Sequence, residues 1–67
     1  MIATDTLWTL ANSAVLRGHW DSARVLLDDL AHRDDYADEI VTPRGAPQHV
    51  ADRIDAVNLR ARLNRGA

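Results

Sequence analysis

An all-α fold, an antiparallel helical hairpin plus a third helix packed as a small helical bundle, follows from three features of the 67-residue chain. Two apolar patterns with helical spacing fill the stretch from Leu7 to Leu30, LWTLANSAVLRGHWDSARVLLDDL. Gly18 separates them with a link too short for anything but antiparallel neighbours. A further apolar stripe follows Pro47, beyond an acidic segment broken by Pro43, Gly45 and Pro47.

The first helix is expected over about residues 5–17. Thr4, Asp5 and Thr6 suit its N-cap, and Asp5 also suits the positive end of the helix dipole. At about 100° per residue, Leu7, Leu10, Ala11 and Ala14 share one face, with Trp8, Val15 and part of Ala11 on the adjoining one. Arg17 complements the helix C-terminus, and Gly18 can adopt the left-handed conformation that closes it.

The second helix is expected over about residues 20–33, capped by His19 or Asp21. Trp20, Ala23, Leu26, Leu27, Leu30 and Ala31 form one broad stripe, the strongest amphipathic signal in the chain. Asp21, Arg24, Asp28, Asp29 and Arg33 read as a solvated face, with Arg24 and Asp28 placed as an i,i+4 pair. Residues 34–46 read as an irregular acidic connector anchored to the core by Tyr36, Ile40 and Val41.

The third helix is expected over about residues 47–64, with Pro47 in its first turn and Gly66 as a stop. Val50, Ile54, Val57 and Ala61 make one stripe; Ala56, Leu59 and Leu63 make a second on nearly the opposite side. One hairpin can cover only the first. Leu59 and Leu63 are therefore candidates for contact with another chain.

Composition narrows the function. Residues 1–67 make one small domain, which at this size buries only about 60% of the unfolded chain's surface and needs tight packing or self-association to be stable. Without cysteine there are no disulfides, no thiol catalysis and no cysteine metal sites. No apolar run is long enough to span a membrane and no signal peptide is recognisable, so the expected location is cytoplasmic. All basic side chains are Arg, with no Lys, a composition expected of a GC-rich source such as an actinobacterium or one of its phages.

Charge is unevenly distributed along the chain. Residues 1–33 carry four acids and three Arg, residues 34–39 four acids, and residues 40–67 two acids and five Arg. The waist is acidic and the tail basic. Asp34, Asp35, Asp38 and Glu39 lack the glycine and alternating oxygen ligands of a calcium loop. His19, His32 and His49 are scattered, and His49 with Asp52 is too small a set for a metal site. With no nucleophile motif or phosphate loop, neither catalysis nor a cofactor is expected. Arg60, Arg62 and Arg65 suit the negative end of a helix; nucleic-acid contact through them is a lesser alternative.

The hairpin resembles a tetratricopeptide repeat over roughly Thr4 to Ala37. Leu7 stands where that family prefers Trp, Leu10 matches its Leu, Ala11 its small residue, Gly18 its turn glycine, Trp20 its aromatic, Ala23 its Ala and Leu27 its large hydrophobic. Ala14, Leu30 and Asp35 depart from the pattern, and residues 38–67 contain no second unit. The resemblance implies a protein-interaction scaffold whose ligand-facing positions fall on Asp5, Trp8, Asn12 and Val15. Trp8 occupies the place of the lysine with which an Asn at position 12 would clamp a peptide carboxylate, so half of that clamp is missing. Since a lone repeat cannot bury its core, it should dock on another protein or on itself, most simply as a homodimer. The sequence thus points to a non-catalytic interaction module. Its alternatives are a small regulator that inhibits a host protein, phage-encoded or antitoxin-like, and a nucleic-acid accessory protein using the Arg tail.

Overall fold

A computed structural model describes residues 1–66. Three helices, α1 (Thr4–Leu16), α2 (Trp20–Leu30) and α3 (Gln48–Gly66), lie in a slab with Cα extents of 32 × 23 × 14 Å. α2 is central and packs on both neighbours, whereas α1 and α3 bring no Cα atoms within 8 Å of each other. An irregular segment, residues 35–41, here called the strap, bridges them through bonds to Thr4 and Trp8 of α1 and Asn58 and Asn64 of α3.

α1 ends as the glycine requires. Gly18 sits at φ +70°, its N–H bonds to the Val15 carbonyl at 3.2 Å, and the His19 N–H reaches back to the Ala14 carbonyl at 2.9 Å. These two bonds form a Schellman closure, which satisfies carbonyls the helix leaves unpaired. A Cβ at Gly18 would lie 3.6 Å from the Trp20 ring, ordinary contact, so the demand for glycine comes from backbone conformation. The start of α1 differs from expectation. Its N-cap is Ala3, and no side chain caps it. Thr4 is instead buried, donating its hydroxyl to Asp35 at 2.6 Å and accepting from Arg33 at 3.1 Å. The side chain best suited to capping is used to tie the strap to α1.

α2 is shorter than its pattern, ending at Leu30 with Ala31 as C-cap. The chain then tightens, with N–H bonds from His32 to Asp29 and from Arg33 to Leu30, each spanning three residues, at 3.1 and 3.0 Å. α3 is longer than expected and includes Gly66, which does not stop it within the described residues. Pro47 lies just outside α3, its carbonyl accepting from Ala51 at 2.9 Å. Before it, Pro43 to Ala46 make a tight turn with Gly45 at φ +87° and an Ala46 N–H to Pro43 carbonyl bond of 3.3 Å, the geometry of a type II turn.

Leu7, Ala11, Ala14 and Val15 of α1 meet Ala23, Leu27 and Leu30 of α2 and Val50, Ile54, Val57 and Ala61 of α3 in one core, completed by Tyr36 and Ile40 of the strap. Alanines at 11 and 23, both fully buried, leave room for close helix approach. Three apolar positions fall elsewhere than their patterns suggest. Leu10, on the expected main apolar face of α1, is 44% exposed, while Val15, on the adjoining face expected to meet a partner, is 1% exposed. Both follow from α1 being rolled toward the strap, so that Trp8 and Val15 turn inward and Leu10 turns out. Val41 is 82% exposed because the strap's anchoring ends one residue earlier, at Ile40.

Candidate interaction surface

The residues placed on the candidate partner face of α1 are separated by the fold. Asp5 is exposed, Asn12 half-buried and Val15 buried. Val15 offers no side-chain surface to a partner in this conformation. Trp8 packs against the core and donates its indole N–H to the Asp38 carbonyl at 2.9 Å. The strap therefore engages Trp8 at the N-terminal part of the face on which a ligand was expected. What remains is a shallow depression lined by Asp5, Trp8, Thr9 and residues 35–38.

The strap forms neither helix nor strand, so its backbone polar groups must find other partners. Side chains supply them. Asn58 is bidentate, its amide oxygen accepting from the Ile40 N–H at 2.8 Å and its NH2 donating to the Ile40 carbonyl at 2.9 Å. Asn64 donates to the Tyr36 carbonyl at 2.6 Å, and Arg65 to the Ala37 carbonyl. The Tyr36 hydroxyl donates to the Val57 carbonyl at 2.9 Å inside the core. Just before the strap, Arg60 donates to the Arg33 carbonyl at 3.2 Å.

Sequence reasoning missed Asn58 and Asn64. Their signal was available: asparagine is a poor residue for a helix interior, and two within the last turns of one helix ask for a tertiary reason.

The acidic waist and basic tail are partners. Glu39 takes Arg65 at 2.7 Å and Arg62 at 3.2 Å, one carboxylate oxygen each. Those two guanidiniums thus face a carboxylate as well as the α3 C-terminus. Asp28, expected to pair with Arg24 along α2, instead takes Arg53 of α3 at 2.9 Å, because Arg53 crosses the α2–α3 seam. Among the described residues, no three His, Asp or Glu side chains gather as a metal site would require. No buried side-chain nitrogen or oxygen there lacks a partner.

These pairs set a pH response. Hydrogen bonds from Arg65 and Arg62 hold the Glu39 carboxyl below its usual value, so the clamp stabilises the fold above the carboxylate range and weakens as pH falls through that lowered value. Burial pushes the Tyr36 phenol above its ordinary 10.0, with Arg60 opposing in part. Its contribution is complete below the ordinary value and is lost as pH rises through the raised one. Thermal melts across pH should therefore show a neutral plateau with losses at both extremes. Glu39→Gln should flatten the acid limb and Tyr36→Phe the alkaline limb.

The largest exposed apolar side chains of α3 are Leu59 and Leu63, which are 55% and 58% exposed. They are i,i+4 neighbours opposite the buried stripe. Leu16 and Val25, also exposed, stand on other helices. Among the described residues no helix is long and apolar enough to cross a membrane. No family model matches the chain, and neither the curated proteins nor the solved structures provide a match.

Proposed function

We propose that the chain is a non-catalytic protein–protein interaction module that self-associates as a homodimer through the outer face of α3. The observation that carries this reading is the exposed pair Leu59 and Leu63 on a helix whose opposite face, Val50, Ile54, Val57 and Ala61, is fully used inside the monomer. Charge supports an antiparallel arrangement. At 100° per residue Asp52, Asp55, Ala56, Leu59, Arg62 and Leu63 share the outer face, acids toward one end and the arginine toward the other. A two-fold axis near Leu59 brings Asp55 of one copy alongside Leu63 of the other and beside Arg62, whose guanidinium would be shared with Glu39 of its own chain, the self-complementarity that an isologous contact requires.

The nucleic-acid reading has less support, because Arg62 and Arg65 are paired with Glu39. Kinship with tetratricopeptide repeats remains part of the proposal, supported by the glycine-closed hairpin and the buried alanines at 11 and 23. Of the peptide-facing positions that this kinship implies, Trp8 is bonded to the strap and Val15 is buried.

Light scattering after gel filtration tests the reading. The protein should elute at twice the 7.4 kDa of one chain at micromolar concentration. Leu59→Asp with Leu63→Asp should return it to a monomer of unchanged helicity, weakening association by at least about 2 kcal/mol, as for loss of an interface hot spot. A wild-type monomer across that concentration range would refute self-association.

A further inference from the structure

The strap sits on the helices as an extended peptide sits in a recognition groove. Five of its backbone groups, the carbonyls of Tyr36, Ala37, Asp38 and Ile40 and the Ile40 N–H, are held by side chains of Trp8, Asn58, Asn64 and Arg65. Backbone capture of this kind is indifferent to which chain supplies the peptide; selectivity comes from the side chains that enter pockets. Here two do so, Tyr36 at 8% and Ile40 at 2% exposure, spaced about 13 Å apart along extended chain. Between them Glu39 lies against Arg62 and Arg65, and Asp38 is exposed. The C-terminal flank carries no such anchor, with Val41 and Thr42 exposed, whereas the N-terminal end is tied by Thr4 to Asp35 at 2.6 Å.

We propose that the cleft between α1 and α3 is a recognition site for an extended acidic segment of another protein with the pattern Tyr-x-x-Glu-Ile, and that the strap is its resident competitor. The charge of the cleft fits this occupant better than a basic one, since Arg62 and Arg65, both paired with Glu39 of the strap, already select a glutamate. The tether gives the strap an effective concentration of the order of millimolar. An incoming segment must therefore be abundant, bind more tightly than the strap, or meet a protein whose strap has been loosened. The inference rests on the reading of the chain as a binding module but uses a surface other than Leu59 and Leu63, so a monomeric protein leaves it intact.

The test is titration of a fluorescent peptide with the sequence of residues 34–42, DDYADEIVT, into full-length protein carrying Leu59→Asp with Leu63→Asp to remove self-association from the readout. With the native strap, binding should be weak. Ile40→Ala should tighten it at least about tenfold by unseating the competitor, Asn58→Ala added to that variant should abolish the gain, and a scrambled peptide should not bind. Equal binding with and without Ile40→Ala, or equal binding of the scrambled peptide, would overturn the proposal. If Ile40→Ala loses its helices, hydrogen exchange on the unaltered protein decides. The Ile40 N–H should exchange through a local opening at least about 100-fold more often than the Leu27 N–H of α2. Equal protection would show that the strap leaves only when the whole domain unfolds, and would overturn the proposal as well.

Discussion

Leu27→Ala should destabilise the domain by about 3–4 kcal/mol and lower its melting temperature by more than about 12 °C, measured by circular dichroism. Leu27 is fully buried near the middle of α2, the helix that packs on both others. Its loss leaves a cavity that the core can close only by moving α1 and α3 together. A chain of this length has a total stability of only about 3–10 kcal/mol. The variant should therefore be substantially unfolded at 37 °C, and a second copy binding at the α3 surface would recover only part of the loss. A shift below about 1 kcal/mol would mean that α2 is not the central element.

Trp8→Ala should cost about 2–3 kcal/mol of stability and leave the association constant of the folded protein unchanged within a factor of about three. The ring packs on the core, and its N–H holds the Asp38 carbonyl, so truncation removes buried area and leaves a strap carbonyl short of its donor. The pairing with the α3 variants is informative: Leu59→Asp should weaken association and spare the melting temperature of the monomer, whereas Trp8→Ala should do the reverse. Urea unfolding with dimerisation measured in parallel separates the two. An intact melting temperature with lost association would put Trp8 at the partner surface, as the tetratricopeptide resemblance implies.

The difference in how well the parts of the chain could be read in advance has a physical origin. Gly18 and the stripes Ala23, Leu27, Leu30 and Val50, Ile54, Val57, Ala61 depend on local periodicity and turn chemistry, which a single sequence carries. Their burial follows almost residue by residue. Leu10 and Val15 depart from their pattern because the roll of α1 depends on tertiary contacts, such as the bond from the Trp8 indole to the Asp38 carbonyl 30 residues away. The sequence marks residues 34–46 as an acidic connector with Tyr36 and Ile40 among its anchors; what orders the backbone between those two is a set of donors on α3 and the Trp8 indole, invisible to any local window. The candidate surface was divided in the same way. Leu59 and Leu63 lie exposed as their helical phase dictates, whereas Asp5, Trp8, Asn12 and Val15 do not survive as one open face.

The strap also explains how so short a chain finds enough core. Tyr36 and Ile40 add two buried side chains that the three helices alone do not contribute. The backbone cost of burying an irregular segment is met by Asn58, Asn64, Arg65 and Trp8, consistent with the rule that buried amide and carbonyl groups are paired. Covering the α1–α3 wedge with the chain's own residues leaves Leu59 and Leu63, on the outer face of α3, as the larger apolar opening on that helix.

The most direct check of the central claim, that the acidic segment is a folded element rather than a solvated linker, is the backbone 15N order parameter of residues 36–40 at neutral pH. Values near about 0.85, matching those of α2, are predicted, because a strap that opens only rarely is rigid on the picosecond-to-nanosecond scale. Values below about 0.6 across Tyr36 to Ile40, with the helices ordered, would contradict it.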